Sequence, residues 1–393
     1  MDRRHFLAAS GLAASGLAAT SPLFAHAAGP GMAAAGAVAP DGLFQRVNFT
    51  SDGLNLSPVE YTTVLREVAS APGFEADFYS LGGHVAQLEH TFARLLGKQA
   101  AIFMPTGTLA NHIAVRTLAG GDRRVLVQAE SHLYNDSGDA ASTLSGLNLI
   151  PMASGQDTVE LAEVQRWLAR SASGRVETRV GVLAIETPVR RRGHQMVDFE
   201  ELQRVCALAR DQGIRLHLDG ARMFNLPYHS GHSVREYAAL FDTVYVSLWK
   251  HFNAGAGAIL AGDADVVEGL FHTRRMFGGA LPYAWPQAAL AARYAEDYET
   301  EYAKAWRAAD ELTERLHADG RFQLRKPPAG TSRLVLAIND PVQGVWAQRV
   351  SQQGIDLPNA IVDTREFPLM VNTSILRRSP EELAQAFTSA LDA

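Results

Sequence analysis

Short apolar runs alternate with amphipathic segments along the chain from about residue 90. The segment VAQLEHTFARLLG has apolar residues at helical spacing and ends at Gly97, and the short run AAIFM precedes the helical pattern GTLANHIAVRTLA. Further apolar runs are typical of buried strands: RRVLVQ, NLIPM, VGVLAIE, IRLHLD, TVYVSL and GAIL. The alternation predicts an α/β fold in which helices cover both faces of a large, mostly parallel sheet.

The pattern changes from about Pro286 onward. One long helix is predicted over AALAARYAEDYETEYAKAWRAADELTERLHADG, and SRLVLAI and FPLMVNT then read as strands. We therefore expect a large domain over residues 71–290 and a smaller C-terminal α+β domain over residues 291–393. Residues 29–70 are expected to form an N-terminal arm.

Residues 1–28 have the features of an export signal that is removed from the mature protein. Arg3 and Arg4, followed by Phe6 and Leu7, resemble a twin-arginine signal, and small residues near Ala27 favour cleavage there. An ordinary secretory signal or a membrane anchor are the alternatives. The apolar stretch is short and rich in Ala, Gly and Ser, so it does not favour a transmembrane helix. A periplasmic location is expected.

Composition narrows the class of protein. The chain has 393 residues, of which 47% are hydrophobic and 20% charged, as in an ordinary soluble globular protein. A net charge of −6 argues against a nucleic-acid partner. Cys206 is the single cysteine, so no internal disulfide can form. It lies on the apolar face of a helical pattern, which favours packing over reactivity. We expect no metal site.

Charged residues follow two of the predicted buried strands, where open α/β sheets bind their ligands. Lys250 directly follows VYVSLW and precedes the glycine-rich NAGAGA. A lysine at a strand end is usually solvated, but a partly desolvated one can form a Schiff base. Asp219 ends IRLHLD and would need a cationic partner there. A protonated pyridine nitrogen or Arg222 would serve, and Arg222 could instead reach a phosphate or a phenolate oxygen.

Two weaker signals accompany these residues. Thr106, Gly107 and Thr108 lie between a strand and a helix, where free N–H groups favour an anion, although Thr and Gly are also plain helix caps. His132 follows RRVLVQ, and its ring could stack on a flat cofactor and shuttle protons. An ordinary loop histidine is the alternative.

Four segments in order resemble the threonine aldolase and β-eliminating lyase family of fold-type-I pyridoxal phosphate enzymes: LGKQAAIFMPTGTLANH, ESHLYN, HLDGARMFN and DTVYVSLWK. The resemblance extends from about Phe49 to about Ala292. It implies the fold-type-I transferase fold and pyridoxal 5′-phosphate as the cofactor.

The resemblance also assigns roles to individual residues. Gly107 and Thr108, with Thr106 beside them, would hold the phosphate, and His132 would stack on the ring. Asp219 would hold the pyridine nitrogen. Arg222 would contact the cofactor, and Lys250 would form a Schiff base with it.

Two further segments extend the resemblance. FTSDG resembles the family's early substrate-contacting loop and places Ser51 near the cofactor. DFYSLGGHVAQLE resembles a segment whose tyrosine, here Tyr79, approaches the cofactor of a neighbouring subunit. The resemblance therefore implies a homodimer or homotetramer.

The sequence departs from the family pattern at several functional positions. Trp249 precedes the lysine where the family usually has serine, and Val189 occupies the position of a candidate basic histidine. The arginines that clamp the substrate carboxylate are missing after GG, where the chain reads ALPYAW, and near Met370. The sequence leaves several replacements open: Arg190 to Arg192, Arg333, Arg377 and Arg378.

These residues predict a lyase that acts on an amino acid through pyridoxal phosphate. Retro-aldol cleavage of a β-hydroxy amino acid to glycine and an aldehyde fits the family best. β-Elimination and racemisation would use the same cofactor, and the departures from the family pattern favour these two alternatives. A binding protein without turnover is disfavoured, because it would not need Lys250, Asp219 and His132 together.

Overall fold

The computed structural model describes residues 42–338 and 343–392. The predicted signal peptide, with Arg3 and Arg4, lies outside the described residues, as does the first part of the predicted arm. Among the described residues, no helix combines the length and apolar character needed to span a bilayer.

The helices and strands follow the predicted alternation closely. The strands are β1 (Val47–Asn48), β2 (Ala100–Met104), β3 (Arg124–Gln128), β4 (Asn148–Met152), β5 (Val180–Glu186), β6 (Arg215–Asp219), β7 (Thr243–Ser247), β8 (Ala258–Gly262), β9 (Phe322–Arg325), β10 (Arg333–Ile338), β11 (Ile355–Asp356) and β12 (Phe367–Met370). The helices are α1 (Pro58–Ala69), α2 (Gly83–Leu96), α3 (Gly107–Ala119), α4 (His132–Asn135), α5 (Ala140–Ser145), α6 (Leu161–Ala172), α7 (Phe199–Asp211), α8 (Leu226–Ser230), α9 (Val234–Ala239), α10 (Ala264–Glu268), α11 (Leu270–Met276), α12 (Trp285–Ala295), α13 (Tyr298–Asp319), α14 (Gln343–Gln352) and α15 (Pro380–Asp392).

A seven-stranded sheet in the order β2-β8-β7-β6-β5-β3-β4 forms the centre of the molecule. Strand β8 is antiparallel to both of its neighbours, and the other neighbouring pairs are parallel. All seven residues of β5 are buried, as expected for a strand covered on both faces. The predicted α/β fold with a mostly parallel sheet is confirmed.

Alternate residues of the central strands pack into separate cores on the two faces of the sheet. In β5, Leu183 and Ile185 belong to the core that includes residues of α2 and α7. Val182 and Ala184 belong to a core on the other face, with residues of α3. Helices therefore cover both faces of the sheet. In β6, His217 and Asp219 alternate with Leu216 and Leu218 and so face α3.

The C-terminal elements form a three-stranded antiparallel sheet in the order β12-β10-β9. The single long helix predicted before it is wrong, because the structure divides this segment into α12 and α13. Helix α12 packs on α1 and α2, whereas α13 packs on α15 and β9, so each half has a different neighbour. The domain boundary near residue 290 stays a prediction.

Cys206 is fully buried in the core on helix α7. Burial raises the pKa of its thiol to about 12, which keeps the sulfur protonated and unreactive. The predicted packing role agrees with this environment.

Candidate active site

A cavity of about 570 Å³ lies at the carboxyl ends of the central strands. Strands β5 and β6 each end at the cavity with an acidic residue, and the segment that follows β7 supplies a lysine. The predicted cofactor-binding residues all line this one cavity: Thr106, Gly107, Thr108, His132, Asp219, Arg222 and Lys250. The sheet topology has therefore brought together residues that are up to about 140 positions apart in sequence.

Lys250 is 9% exposed, and its Nζ donates a hydrogen bond to Ser247 Oγ at 3.2 Å. Burial, with a smaller contribution from the positive charge of Arg222, lowers the lysine pKa to about 8. A neutral amine is therefore accessible near physiological pH, which a lysine needs in order to attack a carbonyl group.

Asp219 accepts hydrogen bonds from Asn111 Nδ2 at 2.6 Å and from the backbone N–H of Ala221 at 3.1 Å. The ion pair of Arg222 is made with Asp52, not with Asp219 as one open alternative had it. Among the described residues no salt bridge joins Asp219 to a cation. Its carboxylate is therefore available to a positively charged ligand.

Arg222 and Asp52 form a buried, bidentate ion pair. Arg222 Nε and Nη2 donate to the two carboxylate oxygens of Asp52 at 2.7 and 2.8 Å. Burial alone would raise the pKa of Asp52, but the charge and hydrogen bonds of Arg222 outweigh it and hold that pKa far below its usual range. Arg222 therefore lines the cavity with a fixed orientation. No pattern in the sequence identifies Asp52 as the partner of Arg222.

The turn before helix α3 forms one end of the cavity. The Thr106 hydroxyl caps the helix by accepting from Leu109 N–H at 3.2 Å. The described residues supply no acceptor for the N–H groups of Gly107 and Thr108, which suits an anion such as a phosphate. A Cβ atom on Gly107 would lie 2.0 Å from Tyr245 Oη, so only glycine fits beneath this tyrosine.

His132 begins the short helix α4 and is not a simple loop residue. Its backbone N–H donates to Glu186 Oε2 at 2.6 Å. Its Nδ1 is buried and has no hydrogen-bond partner among the described residues. A buried imidazole nitrogen without a partner is costly, which favours a ligand that satisfies it.

Glu186 is a cavity residue that the sequence analysis did not single out. It ends β5 as Asp219 ends β6, so the same signal, an acidic residue after an apolar strand, could have found it. Burial, and then the negative charge of Asp219, raise the pKa of Glu186 to about 7. Its oxygens also accept from the N–H groups of His132 and Arg190.

Ser51 and Tyr79 have different positions. Ser51 lines a smaller cavity of about 210 Å³, which shares Trp249 and Lys250 with the larger one. Tyr79 lines neither cavity; its N–H donates to Pro282 O, and the Arg275 guanidinium lies 4.9 Å from its ring centre. The prediction that Tyr79 reaches a neighbouring subunit stays a prediction.

The candidate carboxylate-binding arginines differ in their partners. Arg190 and Arg191 both pair with Asp136, and Arg377 Nη1 donates to the Arg46 carbonyl. Arg333 lies directly opposite Met370 in the β10–β12 ladder, so the two side chains share one face of the C-terminal sheet.

Comparison with known proteins is consistent with this geometry. The sequence profile of the family described as "Beta-eliminating lyase" matches residues 62–341. The chain belongs to the beta-eliminating lyase family. Its members with this fold use pyridoxal phosphate, so the chain is a pyridoxal-phosphate-dependent lyase.

Curated relatives of this beta-eliminating lyase include the "Low specificity L-threonine aldolase" of Saccharomyces cerevisiae. It is 27% identical over 66% of this chain and 67% of the relative. The "Alanine racemase TOXG" of Cochliobolus carbonum is 28% identical over 60% of this chain and 59% of the relative.

Among solved structures, a putative L-allo-threonine aldolase from Listeria monocytogenes matches with a TM-score of 0.72 and 27% identity, over 90% of this chain and 97% of that one. A serine palmitoyltransferase from Sphingomonas wittichii, at 17% identity and a TM-score of 0.59, has the same fold. The fold-type-I fold is confirmed.

The residues of this lyase fit pyridoxal phosphate. The cavity offers an amine of lowered pKa, an unpaired carboxylate, free N–H groups at a helix N-terminus and the imidazole ring of His132. These groups match the aldehyde, the ring nitrogen, the phosphate and the ring face of the cofactor respectively. Lys250, Asp219, the turn at Gly107 and His132 would hold it.

Proposed function

We propose that this lyase cleaves a β-hydroxy amino acid by a retro-aldol reaction, giving glycine and an aldehyde. The observation that carries the proposal is the placement of Lys250 and Asp219 in one cavity, with threonine aldolases among the relatives. The bound cofactor supplies the electron sink that stabilises negative charge at the substrate α-carbon.

The chain's own residues divide the remaining tasks. Asp219 holds positive charge at the ring nitrogen, and the N–H groups of Gly107 and Thr108 neutralise the phosphate. Lys250 provides the attacking amine. The buried His132 Nδ1 is the candidate acceptor for the proton of the substrate hydroxyl, because Val189 supplies no base.

Arg333 is the candidate that binds the substrate carboxylate. Its Nε is buried and has no hydrogen-bond partner among the described residues, and its Nη2 lies 3.5 Å from His194 Nε2. Burial, and then the nearby charge of Arg222, lower its pKa, so the guanidinium would gain from an anionic partner. Arg333 lies opposite Met370, which is near the position where the family has its carboxylate-binding arginine, and this proximity supports the assignment.

Racemisation is a second candidate function. It is favoured by the relative named as an alanine racemase and by Val189, which removes a basic side chain expected in an aldolase. Incubation with L-threonine, L-allo-threonine and L-alanine separates the two functions. Retro-aldol activity releases acetaldehyde and glycine from the first two, whereas racemisation converts L-alanine to D-alanine without an aldehyde. A purified holoenzyme that releases no aldehyde from a panel of β-hydroxy amino acids and racemises no amino acid would reject both proposals.

We infer an assembly of two or four subunits with shared active sites. Apolar side chains near the Tyr79 segment are exposed, including Phe78 at 62% and Tyr283 at 59%. The two rings lie 6.2 Å apart and thus form one exposed aromatic patch. A second copy of the chain would cover this patch.

We also propose export through the twin-arginine route to the periplasm, on the strength of Arg3 and Arg4 in the sequence. Replacement of both arginines by lysine should leave cofactor-loaded protein in the cytoplasm. Cell fractionation of the two forms tests this, and continued export of the double variant would point to the general secretory route.

A further inference from the structure

A chain of buried hydrogen bonds leads from Asp219 into the protein interior. Asn111 Nδ2 lies 2.6 Å from Asp219 Oδ2, and His217 Nε2 lies 2.9 Å from Asn111 Oδ1. His217 Nδ1 then lies 2.9 Å from Thr243 Oγ1. Asn111 and His217 are each 1% exposed and Thr243 is fully buried, so these three residues are shielded from bulk solvent.

The hydrogen bonds of this chain have one direction. The Asn111 amide nitrogen faces Asp219, so its oxygen faces His217, and an amide oxygen can only accept. Burial lowers the pKa of His217 to about 4, so the ring is neutral and Nε2 must carry its single proton. Nδ1 then accepts from the Thr243 hydroxyl. Every donor in the chain therefore points toward Asp219.

The placement of these polar groups is specific to the position behind Asp219. In β6, Leu216 and Leu218 face the apolar core, whereas His217 shares the opposite face with Asp219. Asn111 lies on the buried face of helix α3, among Ala110 and Ile113. Apolar side chains at these positions would fill the space without the cost of burying polar atoms. A role at Asp219 explains why polar ones are present.

We propose that Asn111 and His217 are positioning residues that keep Asp219 an oriented, unprotonated acceptor for the ring nitrogen of the cofactor. Because Asn111 presents only N–H to Asp219 Oδ2, a proton on that oxygen would face a donor and be disfavoured. The backbone N–H of Ala221 has the same effect on Oδ1. The ring nitrogen then remains the place where a shared proton is held. The inference rests on the cofactor contact assigned to Asp219 under the proposed function.

The test follows the protonation of the ring nitrogen in holoenzyme loaded with ¹⁵N-labelled pyridoxal phosphate, by NMR as a function of pH. Asn111→Leu should move deprotonation of the ring nitrogen to lower pH by about one unit or more, because an Asp219 carboxylate that has lost this hydrogen bond is more basic, takes the shared proton itself and is less firmly oriented toward the ring nitrogen. His217→Phe should cause a smaller shift in the same direction. His217→Gln should restore the wild-type titration, because the glutamine amide can donate where Nε2–H did.

The results separate a positioning role for Asn111 and His217 from a purely structural one. A ring-nitrogen titration unchanged in Asn111→Leu and His217→Phe, with only a lower melting temperature, would overturn the inference and leave a structural role. An unchanged titration in Asp219→Asn would instead reject the contact assigned to Asp219, so the two failures are distinguishable. If Asn111→Leu does not fold, three other variants provide the test. His217→Gln should keep the wild-type titration of the ring nitrogen, whereas His217→Phe and Thr243→Val should shift it. The same titration in all three would overturn the inference.

Discussion

Glu186 and Asp219 are direct register partners at the carboxyl ends of the parallel strands β5 and β6. Both side chains are buried and both line the large cavity, so two carboxyl groups share one low-dielectric region. Only Asp219 has a side-chain amide donor, whereas Glu186 is bonded by backbone N–H groups. The two acids therefore have different surroundings, and burial, with the nearby negative charge of Asp219, raises the pKa of Glu186 to about 7.

The first prediction concerns the pH dependence of stability. The pKa of Glu186 is raised from a usual value near 4.5 to about 7, so the folded apoprotein binds a proton more tightly than the unfolded chain does. The stability that this group contributes is present below pH 4.5 and is lost as pH rises to 7. The loss is at most about 3 kcal/mol.

Replacement Glu186→Gln should flatten this part of the profile, which urea unfolding between pH 4.5 and 8 would measure. The exposed Glu200→Gln is the matched control and should leave the slope as in the wild type. An equal slope in Glu186→Gln and wild type would mean that Glu186 is ionised throughout.

The second prediction concerns the buried ion pair. Asp52→Asn leaves the Arg222 guanidinium buried without a counter-charge and should cost about 3–5 kcal/mol of unfolding free energy. A second replacement, Arg222→Gln, made in the Asp52→Asn background should cost much less than it does alone. Urea denaturation of the two single variants and the double variant gives the coupling energy. Additive losses would contradict a direct interaction between the two side chains.

The third prediction concerns the covalent attachment of the cofactor. The wild-type protein should be yellow, and treatment with borohydride should bleach it and fix the cofactor to Lys250, as peptide mass spectrometry would locate. Lys250→Ala should lose both the colour and the label. Lys304→Ala changes an exposed lysine that pairs with Glu301 and should keep both. A label on another lysine would reject the assignment.

The fourth prediction concerns shared active sites. Tyr79→Ala and Lys250→Ala should each be nearly inactive. When the two variants exchange subunits, mixed dimers that carry both changes in one site have a second site intact, so activity should return. Co-refolding at equal amounts should recover about a quarter of wild-type activity, because half of the dimers are mixed and each has one working site. A fully active monomer by light scattering would end this proposal.

The local sequence determined the elements and the positions of the strand-end residues. Strand β5 is a continuous apolar run and β6 carries leucines at alternate positions, and the acidic residue that closes each strand is visible in the sequence itself. Helix α2 ends at Gly97 as the pattern predicted, and the structure shows this glycine in the left-handed conformation with φ of 65°. Parallel strands bring their carboxyl ends to one edge, so the meeting of Asp219 and Lys250 also followed from the alternation.

Only the tertiary structure decided which groups face one another. Asp52 pairs with Arg222 across 170 positions and Asn111 reaches Asp219 across 108, and no local period encodes contacts between such distant segments. The pKa values of Glu186 and Lys250 depend on burial and on neighbouring charges from other strands, which exist only once the sheet has formed. The break between α12 and α13 likewise follows from different packing partners, since the helical pattern in the sequence is continuous.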